Sequence, residues 1–241
     1  MSRTAMVSDQ VLQRLEEMIY RHRPGEKLPT ELQLAQQLGV GRSTVRECLK
    51  ALSAKKIIER RPDGTYVTDQ LQDCLADPLN LMVNMEIGRV EDLVELREVL
   101  EVAAARLAAH RASQEDLMEL ERTNWLMQRP GITMDEMQQQ DIAFHTAMAR
   151  ASGNPVLLDL LGAVRQVVAN HVEDLQAIQP VQPESVQMHQ GLIQAIQQRD
   201  GDLAAQRMQA YMALSRRGMR GLPDPTEEQK NQCAEERSEQ P

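Results

Sequence analysis

Asp141 and His145, in the stretch DIAFHTAMAR, stand four residues apart. On a helix that spacing places a carboxylate and an imidazole on one face. Together they make half of a site for a divalent, zinc-like ion. His189 follows 44 residues after His145, in MHQGLIQAI, where a second helix would bring a third ligand. The same residues have a metal-free use, in which Asp141 and His145 form a hydrogen-bonded pair on a helix surface or in a pocket. The residue types leave both uses open. Arg97, in ELREVLE, is a candidate anchor for a small carboxylate; at i, i+4 from Glu101 it is equally placed for an intrahelical ion pair. Arg165 and His171, after Pro155, are further candidates for the same pocket.

A second cluster has different chemistry. GVGRSTVRECLKAL places Arg42 and Arg46 one helical turn apart, with Ser43 and Thr44 between them. Arginine at the start of a helix pairs with guanine O6 and N7 in the major groove, and hydroxyls reach phosphate or base edges. Arg60 and Arg61, with Lys55 and Lys56, lie near enough in sequence to meet flanking phosphates. Gly64, in PDGT, allows close backbone approach to a minor groove. The alternative is a solvated helix face whose charges serve solubility.

Charge distribution favours the nucleic-acid use. The 241-residue chain has a formal net charge of −9. Residues 1–70 nevertheless hold 12 Lys+Arg against 9 Asp+Glu, and the remainder 15 against 27. An acidic body repels a polyanion, so a basic N-terminal part would face it. Aromatics are only 2% of the chain, which leaves Leu, Val, Ala, Ile and 14 Met to fill the core of a mainly helical protein. Cys48, Cys74 and Cys233 are odd in number and have no metal-like spacing, as expected of a reduced, cytoplasmic setting. No signal core or membrane-length apolar run is seen.

The elements that must position these residues follow from periodicity. Residues 7–21 carry a helical stripe of Val7, Val11, Leu12, Leu15, Met18 and Ile19. RPGEKLP breaks it. Thr30 and Gln33 then form a capping box for a second helix that ends at Gly39. A third helix runs from Arg42 to Ala54, and the pair reads as a helix-turn-helix. Ile57–Ile58 and Tyr66–Thr68 read as strands about a PDGT turn, which makes a wing. Residues 71–88 read as a linker with a short helix. Helices are expected at 90–111, from Ser113 to Met127, from Thr133 to Ser152, and at 155–178, 184–199 and 201–219. The polar, Pro-rich residues 221–241 are expected to be disordered.

PGEKLPTELQLAQQLGVGRSTVRECLKALSAKKIIERRPDGTYV resembles the DNA-binding domain of the GntR family of bacterial transcription regulators. Two positions depart from the pattern: Leu32 replaces a customary Arg, and Gly41 a customary Ser. VELREVLEVAAARLAAHRA, DIAFHTAMARASGNPVL and MHQGLIQAIQQRDGDLAAQRMQAYM are similar to the all-helical FCD effector domain of the FadR-like branch. In metal-binding members of that branch a final His completes the set that Asp141, His145 and His189 begin; here that position is Tyr211. A phenol is a poor ligand near neutral pH, so three side chains plus water or an effector carboxylate would hold the ion.

The resemblance and the residues lead to one expectation. The chain is mainly α, with a winged helix-turn-helix domain at 1–70, a linker at 71–88 and an effector-binding and dimerisation bundle at 89–220. It is a cytoplasmic, homodimeric regulator, a repressor in the expected mode, that binds an operator duplex. Arg42, Ser43, Thr44, Arg46, Arg60, Arg61 and Gly64 contact DNA. Arg97, Arg165 and Tyr211 contact a small carboxylate effector, with Asp141, His145 and His189 as metal ligands and no catalytic residues. The competing class is a metal-dependent hydrolase built on the same three ligands, for which the sequence supplies no clear general base or nucleophile.

Overall fold

The computed structural model describes residues 3–69, 71–171 and 183–219. Two compact units emerge, one built on residues 1–89 with 162–167, the other on residues 90–161 and from 168 onward. Each has its own apolar core, and the two cores share no residue.

In the first unit, α1 (Arg3–Ile19) buries Val11, Leu15 and Ile19. Then α2 (Glu31–Leu38) begins at the Thr30–Gln33 capping box and stops at Gly39, which takes a left-handed φ of 67°. Next, α3 (Arg42–Ala54) buries Val45, Cys48, Leu49 and Leu52 on one stripe, so its opposite face stays outside. Its N-cap is Gly41, which supplies no side-chain hydrogen bond. The wing is an antiparallel pair, β1 (Ile58–Arg61) and β2 (Gly64–Val67), joined through Pro62 and Asp63 with Arg61 opposite Gly64. The PGEKLP segment lies along the other edge of β2: Leu28 N donates to Thr65 O at 2.8 Å, and Val67 N donates to Glu26 O at 2.9 Å. The segment expected only as a break thus covers a sheet edge.

Residues 71–88 contain the helix expected there within a linker. They hold a 14-residue helix, α4 (Leu71–Asn84), with Pro78 inside it. It is tied to the turn after α3: Cys74 Sγ donates to Lys56 O at 3.0 Å, and Lys56 Nζ pairs with Asp77 at 2.9 Å.

Among the described residues, the second unit is built of helices: α5 (Val90–Arg111), α6 (Gln114–Leu126), α7 (Met134–Ala151), the two ends of α8 (Pro155–Asn170), whose residues 162–167 group with the first unit, α9 (Pro183–Gln197) and α10 (Gly201–Met219). Capping boxes at Ser113–Asp116 and Thr133–Glu136 start α6 and α7 as the sequence indicates. Asn154 caps α8, with Pro155 at its first position. Of the expected 155–178 helix, Pro155–Asn170 is seen with His171 as its C-cap, and residues 172–178 lie outside the described residues. Ala104, Ala105, Ala108 and Ala109 are fully buried on α5, and these small side chains let neighbouring helices approach closely. Phe144, Met148, Ile193, Ile196 and Met208 fill the space between. The described residues are mainly α with one small wing sheet. No helix among the described residues is long and apolar enough to cross a membrane. The tail at 221–241, expected to be disordered, lies outside the described residues.

Candidate functional sites

The exposed face of α3 carries the first site. Arg42, Ser43 and Arg46 are exposed and Thr44 is half-buried. Arg46 lies one turn beyond Arg42, as the sequence requires. Arg60 and Arg61 are exposed on β1, and Gly64 opens β2. Most of these cations have acidic company. Arg46 and Arg60 both pair with Glu31, at 3.0 and 2.7 Å. The Arg46 guanidinium beside Glu31 holds that carboxyl below its usual range. Arg61 pairs with Glu59 at 2.7 Å and lies 4.6 Å from the centre of the Tyr66 ring. Lys55 and Lys56, read as phosphate contacts, pair with Glu16 and Asp77 of the same unit. Leu32 is 49% exposed, so the residue replacing the customary arginine meets solvent.

The second site lies inside the helical unit, where four helices each contribute. From α7 come Asp141 and His145, from α9 His189, from α10 Tyr211, and from α5 Arg97 and Glu101. All six are buried. Asp141 Oδ1 is the hub. Tyr211 donates its hydroxyl to it at 2.6 Å, His189 Nε2 lies 3.4 Å away and His145 Nε2 3.9 Å away. On its other edge, His145 Nδ1 lies 3.2 Å from Glu101 Oε2, and Arg97 Nε donates to Glu101 Oε1 at 3.4 Å. Phe144 stacks on His189 with ring centres 3.9 Å apart. Burial drives the His189 imidazole down to about 3, against the opposing pull of Asp141. The ring is therefore neutral at pH 7 with a lone pair available. Burial and the charge of Asp141 push the Tyr211 phenol well above its ordinary value, which keeps it a protonated donor.

These residues fit a divalent ion. His145 Nε2 and both ring nitrogens of His189 are buried without a hydrogen-bond partner among the described residues. Buried polar atoms left that way are costly, and an ion is one of the things that satisfies them. Ligand atoms of Asp141, His145 and His189 lie within 4.8 Å of one another. Donor atoms at zinc bond lengths in a tetrahedron stand about 3.4 Å apart, close to the Asp141–His189 spacing. Glu101 is what orients a ligating imidazole, a carboxylate on the ring's other nitrogen. The sequence reading saw Glu101 only as a partner for Arg97. Its link to His145 spans two helices, so no local spacing reveals it. Arg97 is buried in that ion pair, Arg165 stands half-buried on α8 outside the contacts set out above, and His171 caps the C-terminus of α8.

A winged helix-turn-helix followed by a helical domain with a buried polar cluster defines a class: a DNA-binding protein with a separate helical unit. Comparison with known proteins narrows it. Residues 7–67 match the family described as bacterial regulatory proteins, gntR family, and residues 92–214 match the FCD domain. The chain belongs to the GntR family of DNA-binding transcription regulators, with an FCD domain. It is 30% identical over 205 residues to the galactonate operon transcriptional repressor of Escherichia coli, covering 83% of this chain and 90% of that one. It is 33% identical over 159 residues to the transcriptional regulator LutR of Bacillus subtilis, covering 65% and 72%. A solved structure of a GntR protein from Streptococcus agalactiae superposes with a TM-score of 0.67 at 28% identity, covering 87% of this chain and 99% of that one. These relatives are regulators. The chain is a transcription regulator and not an enzyme, so the hydrolase alternative gives way.

Proposed function

We propose that this chain is a cytoplasmic repressor that grips an operator as a homodimer and changes its grip when a small carboxylate binds among α5, α7, α9 and α10. The observation that carries the ligand half is the set of buried, unpartnered histidine nitrogens around Asp141. An interior designed only for stability would not hold two imidazoles, two carboxylates, a phenol and a guanidinium together. A divalent ion held by Asp141, His145 and His189 would supply a Lewis-acidic centre with free coordination positions for carboxylate and hydroxyl oxygens. Tyr211 contributes a hydrogen-bond donor beside that centre, and Arg97 a buried positive charge. The effector class is a hydroxy, keto or sugar acid, in keeping with the galactonate operon named for one relative.

In the DNA half, Arg42, Ser43, Thr44 and Arg46 enter the major groove, and Arg60, Arg61 and Gly64 follow the flanking backbone and minor groove. Two-fold symmetry of the protein would match a palindromic operator. The ligand acts by preferring one arrangement of the paired DNA-binding units. The test is thermal melting of EDTA-stripped protein with zinc, with a panel of hydroxy acids, and with both. The reading expects the acids to raise the melting temperature, and to do so more with zinc. A panel that shifts nothing under either condition contradicts it.

A further inference from the structure

Glu31 holds two arginines at once. Its Oε2 accepts from Nε and NH2 of Arg46, at 3.1 and 3.0 Å. Its Oε1 accepts from NH2 of Arg60 at 2.7 Å. Glu31 is the first residue of α2, Arg46 lies in α3 and Arg60 in β1, so one carboxylate joins three elements of the DNA-binding unit. The Thr30 capping box sets the backbone at its base. The Glu31 side chain is 18% exposed, against 50% for Arg46 and 41% for Arg60. The carboxylate therefore lies beneath, and the guanidinium ends point outward.

The edge used matters. Arg46 gives Glu31 its Nε–NH2 edge, which leaves NH1 and the second NH2 proton free. That remaining end is the part of an arginine that pairs with guanine O6 and N7. Two consequences follow. An arginine fixed on one edge has less rotamer freedom to lose when it meets a base. The carboxylate also offsets one of two positive charges, and loose binding to any duplex scales with the phosphates neutralised.

We infer that Glu31 is a positioning residue that sets sequence discrimination, aligning Arg46 for a base while weakening unspecific attraction to phosphate. This rests on the reading that α3 enters the major groove. A role confined to holding the unit together would behave differently: losing it would lower the melting temperature and weaken binding to every duplex alike.

The experiment uses the full chain with two duplexes: one that the wild type enriches from a randomised pool, and a scrambled duplex of the same composition. Affinities are read by fluorescence anisotropy across a salt series for wild type, Glu31→Gln, Glu31→Asp and Arg46→Ala. Glu31→Gln is expected to lower the ratio of selected to scrambled affinity about tenfold. It is also expected to tighten binding to the scrambled duplex and steepen its salt slope by about one, with the melting temperature little changed. Glu31→Asp, too short to reach both arginines, falls between. An unchanged ratio for Glu31→Gln overturns the proposal, and so does an equal loss on both duplexes with a lowered melting temperature. If Arg46→Ala keeps the wild-type ratio, the groove reading of α3 fails with it; if Arg46→Ala loses the ratio and Glu31→Gln keeps it, only the role of Glu31 is lost.

Discussion

Asp141 is the residue on which the interior site turns, because one of its oxygens meets Tyr211, His189 and His145 within 3.9 Å. Asp141→Asn keeps the volume and removes the charge. Zinc should then no longer raise the melting temperature of EDTA-stripped protein; an undiminished zinc shift would show that the ion sits elsewhere. Tyr211→Phe removes a buried donor and should cost about 1–2 kcal/mol in urea unfolding. His189 gives a pH signature. Folded, it stays neutral down to about 3, whereas in the unfolded chain it protonates near its ordinary value of about 6.5. Between those values the unfolded state binds the extra proton, so stability is full above about pH 6.5 and falls as pH drops toward 3. Melting of the stripped protein from pH 7 to 4 should show this slope, and His189→Gln should flatten it. An identical slope in the variant would rule His189 out as its source. Of this site the sequence disclosed Asp141, His145 and His189, since i, i+4 spacing and residue type are local facts. It did not disclose Glu101 as the partner of His145 or Phe144 as the ring under His189, because those contacts join different helices or depend on how one helix is rotated. Glu31 was missed for the same reason: its two arginines lie 15 and 29 residues away.

Helix boundaries were legible where a cap marked them. Thr30, Ser113 and Thr133 each make the reciprocal hydrogen bonds that their sequence contexts imply. Thr30→Ala should therefore cost about 1 kcal/mol, read as a lower urea midpoint, and should loosen the base of Glu31 as well. An unchanged midpoint would mean the box contributes nothing. The helix expected within 71–88 is present, but its run across Pro78 was not legible, because Pro argues against a helix interior and the ties from Lys56 to α4 are tertiary. Leu49 is 1% exposed beneath the face of α3 that carries the arginines. Leu49→Ala should destabilise the DNA-binding unit by about 2–5 kcal/mol and weaken operator binding through the unit's fold, leaving any ligand-induced melting shift of the helical unit in place. Loss of that shift would show that the two cores do not behave separately.

At the scale of the molecule, the chain divides its labour by charge. The basic N-terminal unit meets the polyanion, and the acidic helical unit, in the proposed reading, receives the ligand. Family membership establishes DNA binding and regulation; what joins the halves is the proposed coupling between the cluster around Asp141 and the arginines of α3. Coupling of that kind changes affinity typically about 5–150-fold. The most direct measurement is anisotropy of the duplex upstream of the chain's own gene, titrated with full-length protein at fixed salt, with zinc, and with and without each acid of a hydroxy- and sugar-acid panel. The account predicts that at least one acid moves the operator affinity by about fivefold or more, and that Asp141→Asn abolishes the change while keeping ligand-free binding. Specific binding that no acid in the panel alters, or an acid effect that Asp141→Asn leaves intact, would contradict it.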